Sequence, residues 1–353
     1  MPKPSSSPSE PVEAPGRRSL ATRDYVQRIL IALAAVVLAI ALFQLIDLLL
    51  LVFAAVLFAV LLVAIADCVA AVTRLSRSWS LLLAIALLIA TAAGLVLLFG
   101  KPMIGQVQRI AVELPASWRW VEARLRDIGL PDPVFAWAVR RVADGGSLSV
   151  VTQLAGSAAS AVGSLLLALV GGAYLALQPD LYRSGLLALV PPRAAKPVSM
   201  ALDEMAHDLR HWLVGQLVTM AIVGLLMGLG GLAIGLPAAA ALGLIAAILE
   251  FIPYVGPILT AVPALLLGLA VSVDAAGMTV LLLVVVQQLE GYVLTPLIQR
   301  RAVELPPALT LFALFAMGVL FGALGVLLAA PLTVCARILV RHAYMPFIAG
   351  DRS

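Results

Sequence analysis

Two glutamates stand where a carboxylate is hard to keep. Glu290 falls in a predicted apolar helix, with Gln287 and Gln288 one turn earlier, and Glu250 directly precedes Phe251-Ile252-Pro253-Tyr254-Val255-Gly256-Pro257. An ionisable side chain inside a membrane is costly and marks a path for ions or solutes by default. Either carboxyl could take up a proton there, and Gln287, three residues before Glu290, shares its helix face. With Thr295 further along, Glu250, Gln287, Gln288 and Glu290 form the candidate ion-coupling set. A plainer reading leaves Glu290 solvated or paired with Arg300 or Arg301, and Glu250 paired with Arg210 or Arg337.

These residues border two long apolar runs, each interrupted near its centre. Residues 238–272 are broken at Pro253, Tyr254, Gly256 and Pro257; residues 307–341 are broken at Gly322-Ala323-Leu324-Gly325, with Pro331 following. Each arm is about 15 to 17 residues, so it reaches roughly 25 Å as a helix, short of a hydrocarbon core of about 30 Å. Proline removes a donor and glycine permits turns a helix forbids. Irregular backbone at membrane depth is tolerated only where it is buried in protein or lines a cavity. Broken segments of this kind point to a transport site. The carbonyls of Glu250 to Pro253 could coordinate a cation or a polar solute; a purely structural turn is the alternative.

Other chemistry is poorly supported. His207 and His211 are four apart, but no third ligand stands at metal spacing. The chain has no phosphate-binding lysine loop, no nucleophile elbow and no intramembrane acidic pair with metal spacing. No catalytic residue, metal or cofactor is expected, and an ATP-driven pump or a hydrolase is disfavoured. Cys68 and Cys335 read as buried small apolar residues. Gly156, Ser160 and Ser164, and Gly224 with Gly228, read as helix contacts.

The elements that must hold these residues follow from composition. Of 353 residues, 63% are apolar and 12% charged, against about 25% charged in soluble domains. With a mean hydropathy of +1.09, the chain is all-α, a polytopic integral membrane protein. Full spans are expected at 25–45, 46–66, 79–100, 151–177, 212–235 and 275–298, making about eight membrane segments with the two broken, re-entrant-like hairpins. Residues 1–24, rich in Ser, Pro and Glu, read as a disordered tail; Arg17-Arg18 anchors the first helix rather than marking an export signal. Residues 25–100 hold three spans, 101–150 an outer segment, 151–345 the transport region, and 346–353 a second tail. Amphipathic helices are expected at 103–128 on the outer face and at 198–213 along the inner surface, or as partner faces in a homo-oligomer. Sixteen of the 23 Lys and Arg residues fall on one side if each broken run enters and leaves by the same face. That places both termini in the cytoplasm, with the first hairpin opening outward and the second inward. The net charge of +4 is no nucleic-acid signal.

Several stretches also match a known pattern in order: Leu209-Arg210-His211-Trp212-Leu213-Val214-Gly215-Gln216-Leu217; the Phe251–Pro257 break with Val262-Pro263-Ala264; Glu290-Gly291-Tyr292-Val293-Leu294-Thr295-Pro296-Leu297-Ile298 with Leu305-Pro306-Pro307; and Gly322-Ala323-Leu324-Gly325 running to Pro331-Leu332. Over residues 20–345 the chain resembles the autoinducer-2 exporter family of bacterial inner-membrane proteins. One departure is Gly291, where relatives often carry an asparagine. The resemblance implies secondary transport across the inner membrane, export of a small polar signalling solute, and for some members sodium/proton antiport. A passive channel or membrane scaffold is the remaining alternative. The expected partners are the bilayer, a small polar solute, and Na+ or H+.

Overall fold

The computed structural model describes residues 45–98, 147–294, 296–297 and 306–343, together with Ile29, Leu30, Leu33 and Val37. The expected tails, the outer segment 103–128, Thr295, Arg300 and Arg301 lie outside the described residues, as do the side chains of Gly156 and Ser160. Of two compact units, Met1–Leu49 and Leu50–Ser353, the second holds everything discussed below.

Among the described residues there is no strand. The helices are α1 (Ile46–Thr73), α2 (Arg77–Leu98), α3 (Ser147–Leu177), α4 (Pro179–Ala188), α5 (Pro192–Ile234), α6 (Ala239–Leu249), α7 (Val255–Val271), α8 (Val273–Leu289) and α9 (Pro307–Ala343). A π-helical turn, Glu290–Leu294, continues α8. By length and composition alone five described helical runs could cross a membrane, among them α9, which is kinked at Gly322, and α3 with α4, bent by 89°, makes a sixth candidate. Their outward surfaces are apolar: Val72 is 85% exposed and Leu97 80%, a surface suited to hydrocarbon and not to water. The protein is a multi-pass membrane protein.

Both broken hairpins are present. In the first, α6 has 11 residues and α7 has 17, lengths of about 16 and 25 Å. Neither crosses alone, and the two pack on each other, so the chain turns back between them. The second consists of two helical arms that meet at a kink, where Gly322 sits at φ 61°, ψ −146°, close to a region open essentially to glycine. Gly318 and Val326 would be about 12 Å apart along a straight helix. Here a Cβ on Gly318 would lie 2.9 Å from Val326 Cγ2, and Gly325 rests against the Met317 carbonyl. The run therefore folds back at Gly322, while Gly325 provides the room for its return arm. Pro331 is buried within that arm.

α5 is the hub, packing on α6, α8 and α9. Its seam with α6 is built from glycine, as expected for Gly224 and Gly228. A Cβ at Gly224 would come within 2.6 Å of Ala247 Cβ, and one at Gly243 within 2.5 Å of the Gly224 carbonyl oxygen. Small residues let backbones approach where no hydrophobic drive exists between helices. On α3 the close contact is made by Gly171 and Gly172, whose added Cβ would lie 3.2 Å from Ala55 Cβ and 2.6 Å from Phe58 Cβ respectively, whereas Ser164 is only half-buried.

The amphipathic stripe at 198–213 does not lie along a membrane surface. It is collinear with the span, in one unbroken helix of 43 residues. Leu209 and Leu213 face a buried cluster with Leu50 and Leu57 of α1 and Leu328, Val334 and Ile338 of α9, with Met205 and Trp212 at its edge. The stripe is a helix-packing face within the chain. Cys335 borders the same cluster, but Cys68 is exposed, because it lies at the polar end of α1.

Candidate functional site

Glu250 caps the C-terminus of α6 and is 2% exposed. The break after it is tightly specified. Phe251 N–H donates to the Ile248 carbonyl, Ile252 N–H to Leu249, and Gly256 N–H to Ile252 at 2.8 Å. Val255 N–H donates to the Pro253 carbonyl at 2.8 Å, while Tyr254 takes φ 65°, ψ −40°. That is a three-residue γ-turn of the rare, strained kind. A Cβ on Gly256 would strike the end of α6, 3.0 Å from Glu250 Cα, so the two arms meet with no side chain between them.

The carbonyls of this break are largely occupied. Gln216 of α5 donates its Nε2 to the Glu250 carbonyl at 2.6 Å, and the Ile252 and Pro253 carbonyls accept from Gly256 and Val255. Of the carbonyls from Glu250 to Pro253 that could coordinate a cation or a polar solute, three already accept one hydrogen bond each, which leaves the second lone pair of each and the Phe251 carbonyl. Trp212, one turn before Gln216, meets Phe251 edge to face at 5.8 Å. Sequence reasoning did not single out Gln216 as a site residue. An amide in an apolar stretch is the signal that could have found it.

The second carboxyl arrives from α8. Glu290 opens the π-helical turn, a widened helix geometry common at functional sites. Gln287 Nε2 donates to Glu290 Oε2 at 3.2 Å, the face-sharing expected of an i, i+3 pair. The Glu250 and Glu290 side chains lie within hydrogen-bonding reach of each other. Glu250 thus pairs with neither Arg210 nor Arg337: Arg210 Nη1 is bound to Asp67 Oδ2 at 2.5 Å. The acidic pair, which spacing along the chain did not disclose, is made by tertiary packing across 40 residues.

Both carboxyls line a cavity of about 270 Å³ between α5, α6, α7 and α8. Its remaining wall is Val223, Met227, Pro257, Ile258, Thr260, Ala261, Leu283, Val284, Val286 and Gln287. No basic side chain is among these lining residues. Thr260 is buried, and its hydroxyl donates to the Gly256 carbonyl at 2.9 Å, leaving it little to offer a ligand. Of the candidate site residues, Glu250, Pro257, Gln287 and Glu290 converge here, with Pro253, Tyr254 and Gly256 forming the adjoining turn. Gln288 is exposed and off the wall, and Gly322, Gly325 and Pro331 belong to another part of the fold. Among the described residues, Phe251 and Phe321, each beside one of the breaks, border the same apolar cluster.

At one end of the bundle, charged residues tie the helices together. Besides Arg210–Asp67, Arg341 Nη1 and His342 Nε2 of α9 meet Glu204 of α5 at 2.9 and 2.5 Å, and Arg183 meets Asp203 at 2.6 Å. The 67–78, 178–211 and 337–342 segments therefore share one end, as the charge count requires. His207 and His211 belong to this end, their rings 4.2 Å apart and His211 Nδ1 2.8 Å from the His207 carbonyl.

A model of the AI-2E family transporters matches residues 29–345. The chain belongs to the AI-2E family. Similar proteins include YrrI of Bacillus subtilis strain 168, provisionally named a transport protein, 33% identical over 169 residues, 48% of each chain. YueF of the same strain, named in the same way, is 37% identical over 128 residues, 36% of this chain and 35% of YueF. A transport protein of Thermotoga maritima, also provisionally named, is 27% identical over 191 residues, 54% of this chain and 58% of its own. The matches span about half the length of these relatives or less.

Proposed function

We propose that this AI-2E protein is a secondary transporter of the bacterial inner membrane. It exports a small solute and couples the movement to protons or a monovalent cation at the Glu250–Glu290 pair. The observation carrying this reading is the meeting of two carboxyls in an otherwise apolar cavity beside a helix break. A buried carboxyl without a counter-ion is costly. Its partner here is a second acid, so the site is relieved by binding a proton or another cation. α6 ends and α7 begins at this point, so their opposed helix dipoles largely offset one another and the carboxyls set the sign of the field. Export rests on the family.

The test is flux in proteoliposomes holding a pH-sensitive dye. Glu250→Gln and Glu290→Gln are each expected to lower coupled proton movement by about ten-fold or more, since losing a hydrogen bond to a charged group is worth about 1.5–3 kcal/mol and 1.4 kcal/mol is about tenfold. Wild-type flux in both variants would reject the coupling role and favour a passive channel. The same cavity supports sodium/proton antiport as a second reading. Sodium alone driving proton movement, with no solute present, would establish it.

A further inference from the structure

We infer that the cavity's ligand is a small organic monocation with an apolar body, exchanged for one proton. This rests on the transport reading above and names the cargo class. The wall carries two chemistries and little else. Glu250 and Glu290 supply the acid groups, and apolar groups such as Val223, Met227, Ile258 and Leu283 supply most of the rest. Each of the two neutral polar groups already spends a donor, Gln287 on Glu290 and Thr260 on its own helix, so few donors remain for a solute's hydroxyls. A polyhydroxylated, uncharged solute would bring several hydroxyls against hydrocarbon and leave them unpaired, which is strongly disfavoured. A bare metal ion would be held by few protein oxygens, since three of the four break carbonyls already accept a hydrogen bond and among the described residues no group of three or more metal-ligating side chains exists; sodium is the competing occupant, which the displacement measurement tests. An ammonium head against the carboxyls, with its hydrocarbon against the apolar lining, satisfies both chemistries. The volume of about 270 Å³ sits just below the clefts of about 300–1,000 Å³ that take drug-sized ligands, so the cargo is small.

Charge balance sets the stoichiometry. A carboxylate only accepts hydrogen bonds, so a carboxyl–carboxyl bond needs a proton on one partner. With no basic residue on the wall, the empty site is neutral when both carboxyls hold protons. Binding one monocation and releasing one proton to water keeps it neutral, with one carboxylate facing the cation and one carboxylic acid remaining. On this proposal, with both carboxyls protonated in the empty site, exchange is one for one.

The experiment is titration calorimetry on the full chain in nanodiscs, with tetraethylammonium as the probe, repeated in two buffers of different ionisation enthalpy. Saturable binding with about one proton released per cation is expected, weakened about ten-fold or more by Glu250→Gln. Ala261→Phe fills the apolar part of the cavity and is expected to weaken binding comparably; it carries the test if the glutamine variant does not fold. Ribose binding in place of tetraethylammonium, sodium displacing the probe at equal concentration, or affinity unchanged in Ala261→Phe would overturn the cargo class. Glutamate-dependent proton flux in the vesicles would still stand in each of those cases. Loss of that dependence would bring down the transport reading as well.

Discussion

Gln216 shows how a single side chain secures the site. Its amide reaches from α5 to the carbonyl of Glu250, the last residue before the turn, and so keeps the helix end from seeking another donor. Gln216→Leu keeps the volume and removes the donor. It is expected to cost about 1–3 kcal/mol, the penalty for a buried carbonyl left unmade, seen as a lower thermal midpoint in detergent. An unchanged midpoint would mean that water replaces the amide. At this scale the sequence was informative about residue type and poor about partners. Glu250 and Glu290 stand out in apolar runs, but nothing in one dimension brings residues 40 apart face to face. Gln287 was legible because its partner is on the same helix, and Gln216 was hidden because its partner is on another. The crowding of Thr260 and the exposure of Gln288 are likewise packing results.

Among elements, the hairpins were the most legible feature, since proline and glycine interrupt apolar runs for local steric reasons. The first opens at Tyr254, where φ is 65°, and the second folds at Gly322 alone rather than across the whole Gly322–Gly325 stretch. Gly243 belongs to the α5–α6 seam, where an added Cβ would lie 2.8 Å from Gly228 Cα. Gly243→Leu should separate these helices, at a cost of about 1–3 kcal/mol or more from overpacking, and should also lower flux because the seam borders the cavity. A folded variant with a wild-type midpoint would show that the seam can give way. Less legible was the fate of the 198–213 stripe. Periodicity marks an apolar face but cannot say whether lipid or another helix covers it; here α1 and α9 do.

For the whole molecule, the charged residues at one end give the clearest test. Exposed ion pairs are worth about 0–1 kcal/mol each, so Asp67–Arg210 and Glu204–Arg341 set the register of α1, α5 and α9 more than they stabilise them. Ser76 lies exposed in the turn between α1 and α2 near this end. In a chain lacking Cys68 and Cys335, Ser76→Cys should react with a membrane-impermeant maleimide only after cells are permeabilised, if this end is cytoplasmic. Labelling of intact cells would reverse the orientation. The 43 residues of α5 extend about 64 Å, roughly twice the hydrocarbon thickness. The same rod is anchored by Glu204 and Arg210 at its aqueous end and presents Val223 and Met227 to the cavity. Unbroken helical backbone runs from these anchors to the chamber wall, so the ion pairs at the aqueous end and the lining of the chamber share one register.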